Sequence, residues 1–246
     1  MPALFEFHGD LATLLRPRWR NAHPIAHPVT RRASVKDVIE SFGLPHTEID
    51  RITCDDREVD FSFPVEEGQK FNIYPVLPPW NVFLPTMLRP QPLQSIRFVV
   101  DVNVGRLARY LRMAGFDTQY DYRWDDSKIM EFLDGEKRIV LTRDLGLLKR
   151  KNVQFGHYIR ADRPFAQLHE VIRLLDLEEK VNPFTRCLEC NRPLQAVSKE
   201  EVLHRLEPLT RKYYNSFSIC HACDKIYWPG SHVDEMRQFF PFISRD

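Results

Sequence analysis

The sequence predicts an α/β protein with a parallel sheet covered by helices on both faces. A small α+β module precedes the sheet and a cysteine-rich domain follows it. Three observations carry this. Residues 96–177 alternate short β-branched or aromatic runs with helical patterns. Residues 1–80 place strand-like pieces around one amphipathic helix pattern. Two Cys-x-x-Cys pairs lie near the carboxyl end.

Ala3 to Phe7 alternates apolar and polar residues and predicts a strand. Residues 16–33 are rich in Arg, Pro and His and predict a loop or irregular hairpin. Ser34 caps a predicted helix over 35–42, Asp37 adds favourable charge in its first turn, and Gly43 ends it. Strands follow at 51–54, 57–61 and 70–75. Residues 78–95 hold five prolines, which predicts an extended, semi-rigid linker. Its Trp80, Val82, Phe83 and Leu84 are expected to dock on a neighbouring domain. The expected division is 1–80, a linker at 81–95, 96–180 and 181–246.

The run from Ile96 to Val100 reads as a buried strand that stops at Asp101. A helix over 104–113 follows, with Leu107, Ala108, Leu111 and Ala114 as its apolar stripe. Arg106, Arg109 and Arg112 fall elsewhere on its circumference, and Gly115 stops it. Further strands are expected at 116–120, 138–142 and 156–160. Further helices are expected at 127–133, 145–149 and 164–175, with Pro164 in the first turn of the last.

Acids follow every one of these strands: Asp101; then Asp121, Asp125 and Asp126; then Asp144; then Asp162. The carboxyl ends of parallel strands share one edge, so these acids can converge on one crevice. Each also has a plainer reading, since Asp101, Asp126, Asp144 and Asp162 precede helices and suit N-caps. Clustered carboxylates repel unless a cation sits among them, and Mg²⁺ or Mn²⁺ prefers such oxygens. Ions held there can activate water against a phosphodiester. Arg106, Arg109, Arg112, Arg143, Lys149 and Arg150 are candidates to hold a nucleic-acid backbone.

Cys187, Cys190, Cys220 and Cys223 form two knuckles that complete a tetrahedral site, read as structural zinc. A redox pair and an iron–sulfur site are the alternatives. A helix is expected at 198–206 between the knuckles. His204, His221 and His232 read as surface or packing residues. Tyr213, Tyr214, Phe217, Tyr227 and Trp228 read mostly as small-domain core, with one or two rings free to stack on bases. The net charge of +1 does not mark a nucleic-acid binder by bulk, so local bunching carries that question. The sequence has no run of about 18 apolar residues and no basic, apolar leader, so the expected location is the cytoplasm, off the membrane.

Two resemblances add to this reading. The stretch ASVKDVIESFGLPHTEIDRITCDDREVDFSFPVEEGQKFNIYPVL resembles a ubiquitin-like β-grasp domain of the sulfur-carrier type. Such carriers end in Gly-Gly; here Pro75, Val76, Leu77, Pro78 and Pro79 run on, so the resemblance implies binding or scaffolding and not carrier chemistry. A sulfur-transfer accessory role through Cys54 is the disfavoured remainder. The stretches FVVDVNVGRLARYLRMAGFDTQY and RIVLTRDLGLLKR resemble the PIN-like RNase family named for the C-terminal region of the Mut-seven exonuclease. That resemblance implies a PIN-like domain whose strand-end acids hold Mg²⁺ or Mn²⁺. Asp101 and Asp144 match the family's first and last motif acids. Asp126 is taken as the third, Asp125 as its neighbour and Asp162 as the weakest member; Glu131 is the one helical Glu nearby. The implied activity is metal-dependent RNA hydrolysis, with Asp101, Asp126 and Asp144 catalytic. The implied partners are RNA, with tRNA and rRNA as candidates, and a protein for the β-grasp module. The alternative is a non-catalytic RNA- or ribosome-binding adaptor.

Overall fold

Alternation along Ala3–Phe7 (β1) buries Ala3, Phe5 and Phe7 and turns Leu4 and Glu6 outward. The structure, a computed structural model describing residues 1–183 and 185–230, builds a first sheet on this strand. It adds Ile25–His27 (β2), Ile49–Cys54 (β3), Arg57–Glu58 (β4) and Lys70–Pro75 (β5), in the order β2-β1-β5-β3-β4. β1 and β5 are parallel; the other pairs are antiparallel. The stretch expected over 16–33 as a loop or irregular hairpin contains an edge strand antiparallel to β1, and the strand expected at 57–61 is shorter. One helix, Val35–Phe42 (α1), covers the sheet with Val35, Val38, Ile39 and Phe42. Ser34 Oγ caps it by accepting from Asp37 N at 3.2 Å. This is the ubiquitin-like β-grasp arrangement.

The second sheet is built by Arg97–Val100 (β6), Asp117–Gln119 (β7), Ile139–Thr142 (β8) and Gly156–Tyr158 (β9), all parallel, in the order β7-β6-β8-β9. Helices Gly105–Met113 (α2), Asp126–Gly135 (α3), Leu145–Leu148 (α4) and Pro164–Leu175 (α5) flank it. Phe98, Val100, Ile139 and Leu141 meet Leu107, Leu111, Leu168 and Val171 of α2 and α5. Val99 and Val140 point the other way, onto Ile129 of α3 and Leu147 and Leu148 of α4. The strands read as continuous apolar runs because both faces are covered. Each side chain fully removed from water there contributes about 1.5–3 kcal/mol.

Gly115 ends α2 in the left-handed region at φ +95°. Its N–H donates to the Arg112 carbonyl at 3.0 Å and the Phe116 N–H to the Leu111 carbonyl at 2.9 Å. A Cβ here would also overlap the Asn182 carbonyl. Gly115→Ala is therefore expected to destabilise by at least about 2 kcal/mol, read from the urea midpoint. A smaller loss would mean that the backbone at Asn182 yields.

The Pro-rich stretch is fixed to the second sheet. Trp80 and Val82 are buried in its core and Trp80 N donates to Leu174 O at 2.6 Å. Phe83 and Leu84, expected to dock with them, stay exposed. Arg89, 5% exposed, bolts three parts together. Its guanidinium donates to the Ile49 and Thr47 carbonyls at 2.8 and 2.9 Å and to Gln154 O at 3.2 Å, and lies 5.0 Å from the Trp80 ring. Burial pulls its pKa down to about 10, yet it stays charged at neutral pH.

Glu48 of the β-grasp module is 3% exposed and grips the edge strand of the second sheet. Its carboxylate accepts from Tyr158 N at 2.7 Å and from Arg160 Nη2 at 2.9 Å, and lies 3.3 Å from His157 Nδ1. Glu170 on α5 holds the other ring nitrogen of His157 at 2.9 Å. His46 adds a donor bond to the Val153 carbonyl at 2.8 Å. The β-grasp module thus covers an edge that would otherwise be open to strand addition.

A third sheet, Gln195–Val197 (β10), Phe217–Cys220 (β11) and Lys225–Tyr227 (β12), is antiparallel in chain order. The helix expected at 198–206 is one α turn, Lys199–Val202 (α6), followed by a 3₁₀ turn, Leu203–Arg205; a further helix, Pro208–Tyr213 (α7), was not expected. Among the described residues, no helix is long and apolar enough to cross a membrane.

Candidate functional site

Asp101 stands directly after β6 and Asp144 two residues after β8, so neighbouring central strands present both at one sheet edge. Asp101 is 7% exposed. Its Oδ1 accepts from Val102 N at 2.6 Å; its Oδ2 accepts from Thr142 Oγ1 and from Asn103 Nδ2, each at 2.6 Å. Thr142 Oγ1 in turn accepts from Asp144 N at 2.8 Å and from Asn103 Nδ2 at 3.2 Å. Asn103 Oδ1 accepts from Arg143 N at 3.0 Å. One hydroxyl and one amide therefore tie the two strand ends together. Neither Thr142 nor Asn103 was singled out in the sequence, although Thr142 lies inside the Leu-Thr-Arg-Asp motif.

Asp144 is exposed, and only its Oδ1 is engaged, by Gly146 N at 2.6 Å and Leu147 N at 3.3 Å. Both acids are helix caps, as their plainer reading expected. They still have lone pairs to offer. A carboxylate has about four acceptor positions; three are used on Asp101, and Oδ2 of Asp144 has no partner among the described residues.

The other acids sit differently. Asp125, not Asp126, caps α3, accepting from Lys128 N at 3.0 Å. Asp126 pairs with Arg150 at 3.5 Å. Asp162 is 90% exposed, does not cap α5, and pairs with Arg143 at 2.8 Å. Glu131 pairs with Lys128 on the same helix. The Asp121 pKa is lowered to about 2, first by the hydrogen bonds from the Arg123 side chain. Among the described residues, no three acids bring their oxygens together as a ready metal cluster.

The basic residues also divide. Arg106 and Arg109 are exposed on α2 and make no ion pair among the described residues. Arg112 is buried: it donates to the carbonyls of Thr118, Tyr120, Leu188 and Glu189, locking β7 to the first cysteine knuckle. It follows Ala108 by four residues, so it flanks the apolar stripe and not the exposed face. Arg143 reaches the carbonyls of Ile159, Arg160 and Ala161. Lys149 donates to Glu40 O at 3.3 Å, at the end of α1.

The sulfur atoms of Cys187, Cys190, Cys220 and Cys223 all lie within 4.8 Å of one another. Four thiolates at about 2.3 Å from one ion would stand at such separations, so the set fits tetrahedral zinc. Desolvation opposes the Cys187 thiolate, but backbone N–H groups of Cys190 and Glu189 and the Tyr227 hydroxyl, 3.1 Å away, hold its pKa near 6. Asn191 fastens the knuckle to β7 through Thr118 N at 3.0 Å and Asp117 at 2.9 Å. Cys220→Ser is expected to lose bound zinc, measured by elemental analysis after dialysis, and with it the ordered β11–β12 hairpin, because metal affinity there is folding free energy. Zinc retained at the wild-type level would refute a four-thiolate site. His204 and His221 are exposed, as expected; His232 lies outside the described residues. Tyr214, Phe217 and Tyr227 are partly or fully buried, while Tyr213 is 64% exposed. Cys54 is buried, and burial with Asp55 beside it pushes its thiol up to about 11, which does not suit a sulfur nucleophile.

No curated protein and no solved structure matches the chain. Two family models do. The Mut7-C ubiquitin model matches residues 1–80, and the Mut7-C RNAse domain model matches residues 96–240, spanning both the acidic strand ends and the four cysteines. The chain therefore belongs to the Mut7-C RNAse domain family and carries a Mut7-C ubiquitin domain in front.

Proposed function

We propose that the protein is a metal-dependent ribonuclease whose working acids are Asp101 and Asp144. The observation that carries the reading is their juxtaposition at the ends of adjacent central strands, joined through Thr142, within a match to an RNAse domain. The donor set suits a hard divalent ion, since Mg²⁺ and Mn²⁺ take one or two carboxylates and keep several waters. Such an ion would supply a water of lowered pKa and offset charge on the phosphodiester. The chain's own part is to hold Asp101 in one rotamer through Asn103 and Thr142, and to keep Asp144 exposed with one free oxygen. Asp126 and Asp125 sit at the start of α3 and would join only if that helix approached; Asp162 is the outermost member. Arg106 and Arg109 supply exposed charge for the RNA backbone. We take the chain as a β-grasp module at 1–80, the docked linker at 81–95, the nuclease domain at 96–180 and the zinc ribbon at 181–246, working in the cytoplasm.

The test is cleavage of labelled single-stranded and structured RNAs, tRNA and rRNA fragments included, with and without Mn²⁺. Mn²⁺-dependent products are expected. RNA bound but left intact with either metal would favour the adaptor reading, in which both acids are caps alone.

A further inference from the structure

Residues 11–36 carry six Lys or Arg residues and no acid, in a chain whose net charge is only +1. The family match assigns nothing to this concentration. The structure divides it by position. Arg16, Arg18 and Arg20 gather at the carboxyl end of α1, while Lys36 lies in its first turn and Arg31 and Arg32 near its amino end, beside Glu66 and Glu67.

Local geometry fixes the first group. Arg16 N donates to Phe42 O at 2.8 Å, and the Arg16 side chain packs over Gly43. Trp19 stacks edge-on against Phe42 at 5.5 Å, and the Arg18 guanidinium lies 5.0 Å from the Trp19 ring. Arg20 Nε donates to Leu15 O at 2.9 Å. All three arginines are exposed, and none makes an ion pair among the described residues.

The group does not end with the module. Lys149 donates to Glu40 O at the same end of α1, and burial first, with the nearby Arg16 charge adding to it, lowers the Lys149 pKa. Arg150, shared with Asp126, and exposed Lys151 follow. Lys149 and Asp144 are the two caps of the single-turn helix α4, about 7.5 Å apart along its axis at 1.5 Å per residue. Of the acids beside these cations, Glu40 is engaged with His46 at 2.7 Å and Asp126 with Arg150 at 3.5 Å.

We propose that Arg16, Arg18 and Arg20 of the β-grasp module continue through Lys149 and Lys151 as one RNA-backbone track that delivers single-stranded RNA to the Asp144 end of the candidate site. The clustering of unpaired guanidinium groups matches a polyanion, and the continuity of the track with a strand-end acid selects RNA over other polyanions. This rests on the nuclease reading for its destination, but its test does not depend on cleavage.

The measurement is fluorescence anisotropy of a labelled mixed-sequence single-stranded RNA on the full, zinc-loaded chain without added Mg²⁺ or Mn²⁺, over a salt series. Arg16→Gln, Arg18→Gln, Arg20→Gln is expected to weaken binding at least about tenfold and to make the salt slope shallower by about 2, at about 0.7 per lost phosphate contact. Arg31→Gln, Arg32→Gln, at the other end of α1, is expected to stay within about twofold. Should the triple variant unfold, Arg18→Glu, Lys151→Glu changes two exposed side chains on the two sides of the module boundary and is expected to give the same loss. The proposal is overturned if wild type does not bind RNA, if both Gln variants lose equally, or if an acidic peptide or anionic vesicle binds the track at least as tightly as RNA. An inactive enzyme that binds RNA through these residues would sink the nuclease reading and leave the track standing.

Discussion

Glu48→Ala is expected to cost about 3–5 kcal/mol of stability near pH 6, the loss typical of breaking a buried ion pair from one side. The substitution leaves the Tyr158 N–H without its acceptor and strips His157 and Arg160 of their shared carboxylate. Burial alone would raise the Glu48 pKa, but His157 and then Arg160 overcome it and hold it at about 2. Burial alone would lower the His157 pKa, but Glu48 and Glu170 overcome it and raise it to about 9. The two groups bound a pH window. Glu48 is depressed from an ordinary value of 4.5, so its contribution is complete above that value and is lost as pH falls through about 2. His157 is raised from 6.5, so its contribution is complete below that value and is lost as pH climbs through about 9. The cluster therefore stabilises most between about pH 4.5 and 6.5. Denaturant unfolding of wild type and variant at pH 6 and at pH 9.5 measures this, and the gap between them should narrow at the higher pH. A difference under about 1 kcal/mol at pH 6 would mean that the interface is open to water in solution.

That interface was the part of the molecule least legible in the sequence. Glu48 and Tyr158 are 110 residues apart, and Arg89 reaches carbonyls 40 to 65 residues away. Local pattern rules see neighbours at two to four positions, so a lone Glu before a strand and a lone Arg among prolines carry no signal. Where structure is local, the sequence was explicit. The stripe of Leu107, Ala108 and Leu111, the stop at Gly115, the Ser34 cap and the paired cysteines are each written within a few residues. The acids lie between these cases. Their positions after the strands follow from the alternation of elements. Which of them meet depends on the order β7-β6-β8-β9, which places the ends of β6 and β8 side by side. Arg112 was misgrouped by spacing alone, because three-residue repeats along a helix drift around its surface and carry the last member into the packed flank.

The same logic makes Asp144→Asn the sharpest test of the site. Asn and Asp are equally good N-caps. The substitution should therefore keep the bonds from Gly146 N and Leu147 N and leave stability within about 0.5 kcal/mol. A cap alone predicts no further consequence. A metal-ligating acid predicts loss of Mn²⁺ affinity in calorimetry and of RNA cleavage by at least about 100-fold, since removing even an outer partner of a ligand costs about 10- to 100-fold. Asp101→Asn cannot separate the two roles so cleanly. Its buried carboxylate accepts from three donors, and an amide there sets one N–H against the Asn103 N–H or the Thr142 hydroxyl. It should lose cleavage together with about 1–3 kcal/mol of stability. Thr142→Val completes the set: it removes the hydroxyl between Asp101 and Asp144 N without touching either carboxylate. If the two acids act together, this variant should weaken Mn²⁺ binding while Asp144→Asn stays folded and inactive. Full cleavage by Asp144→Asn would instead assign Asp144 to capping and move the RNA chemistry away from this strand end.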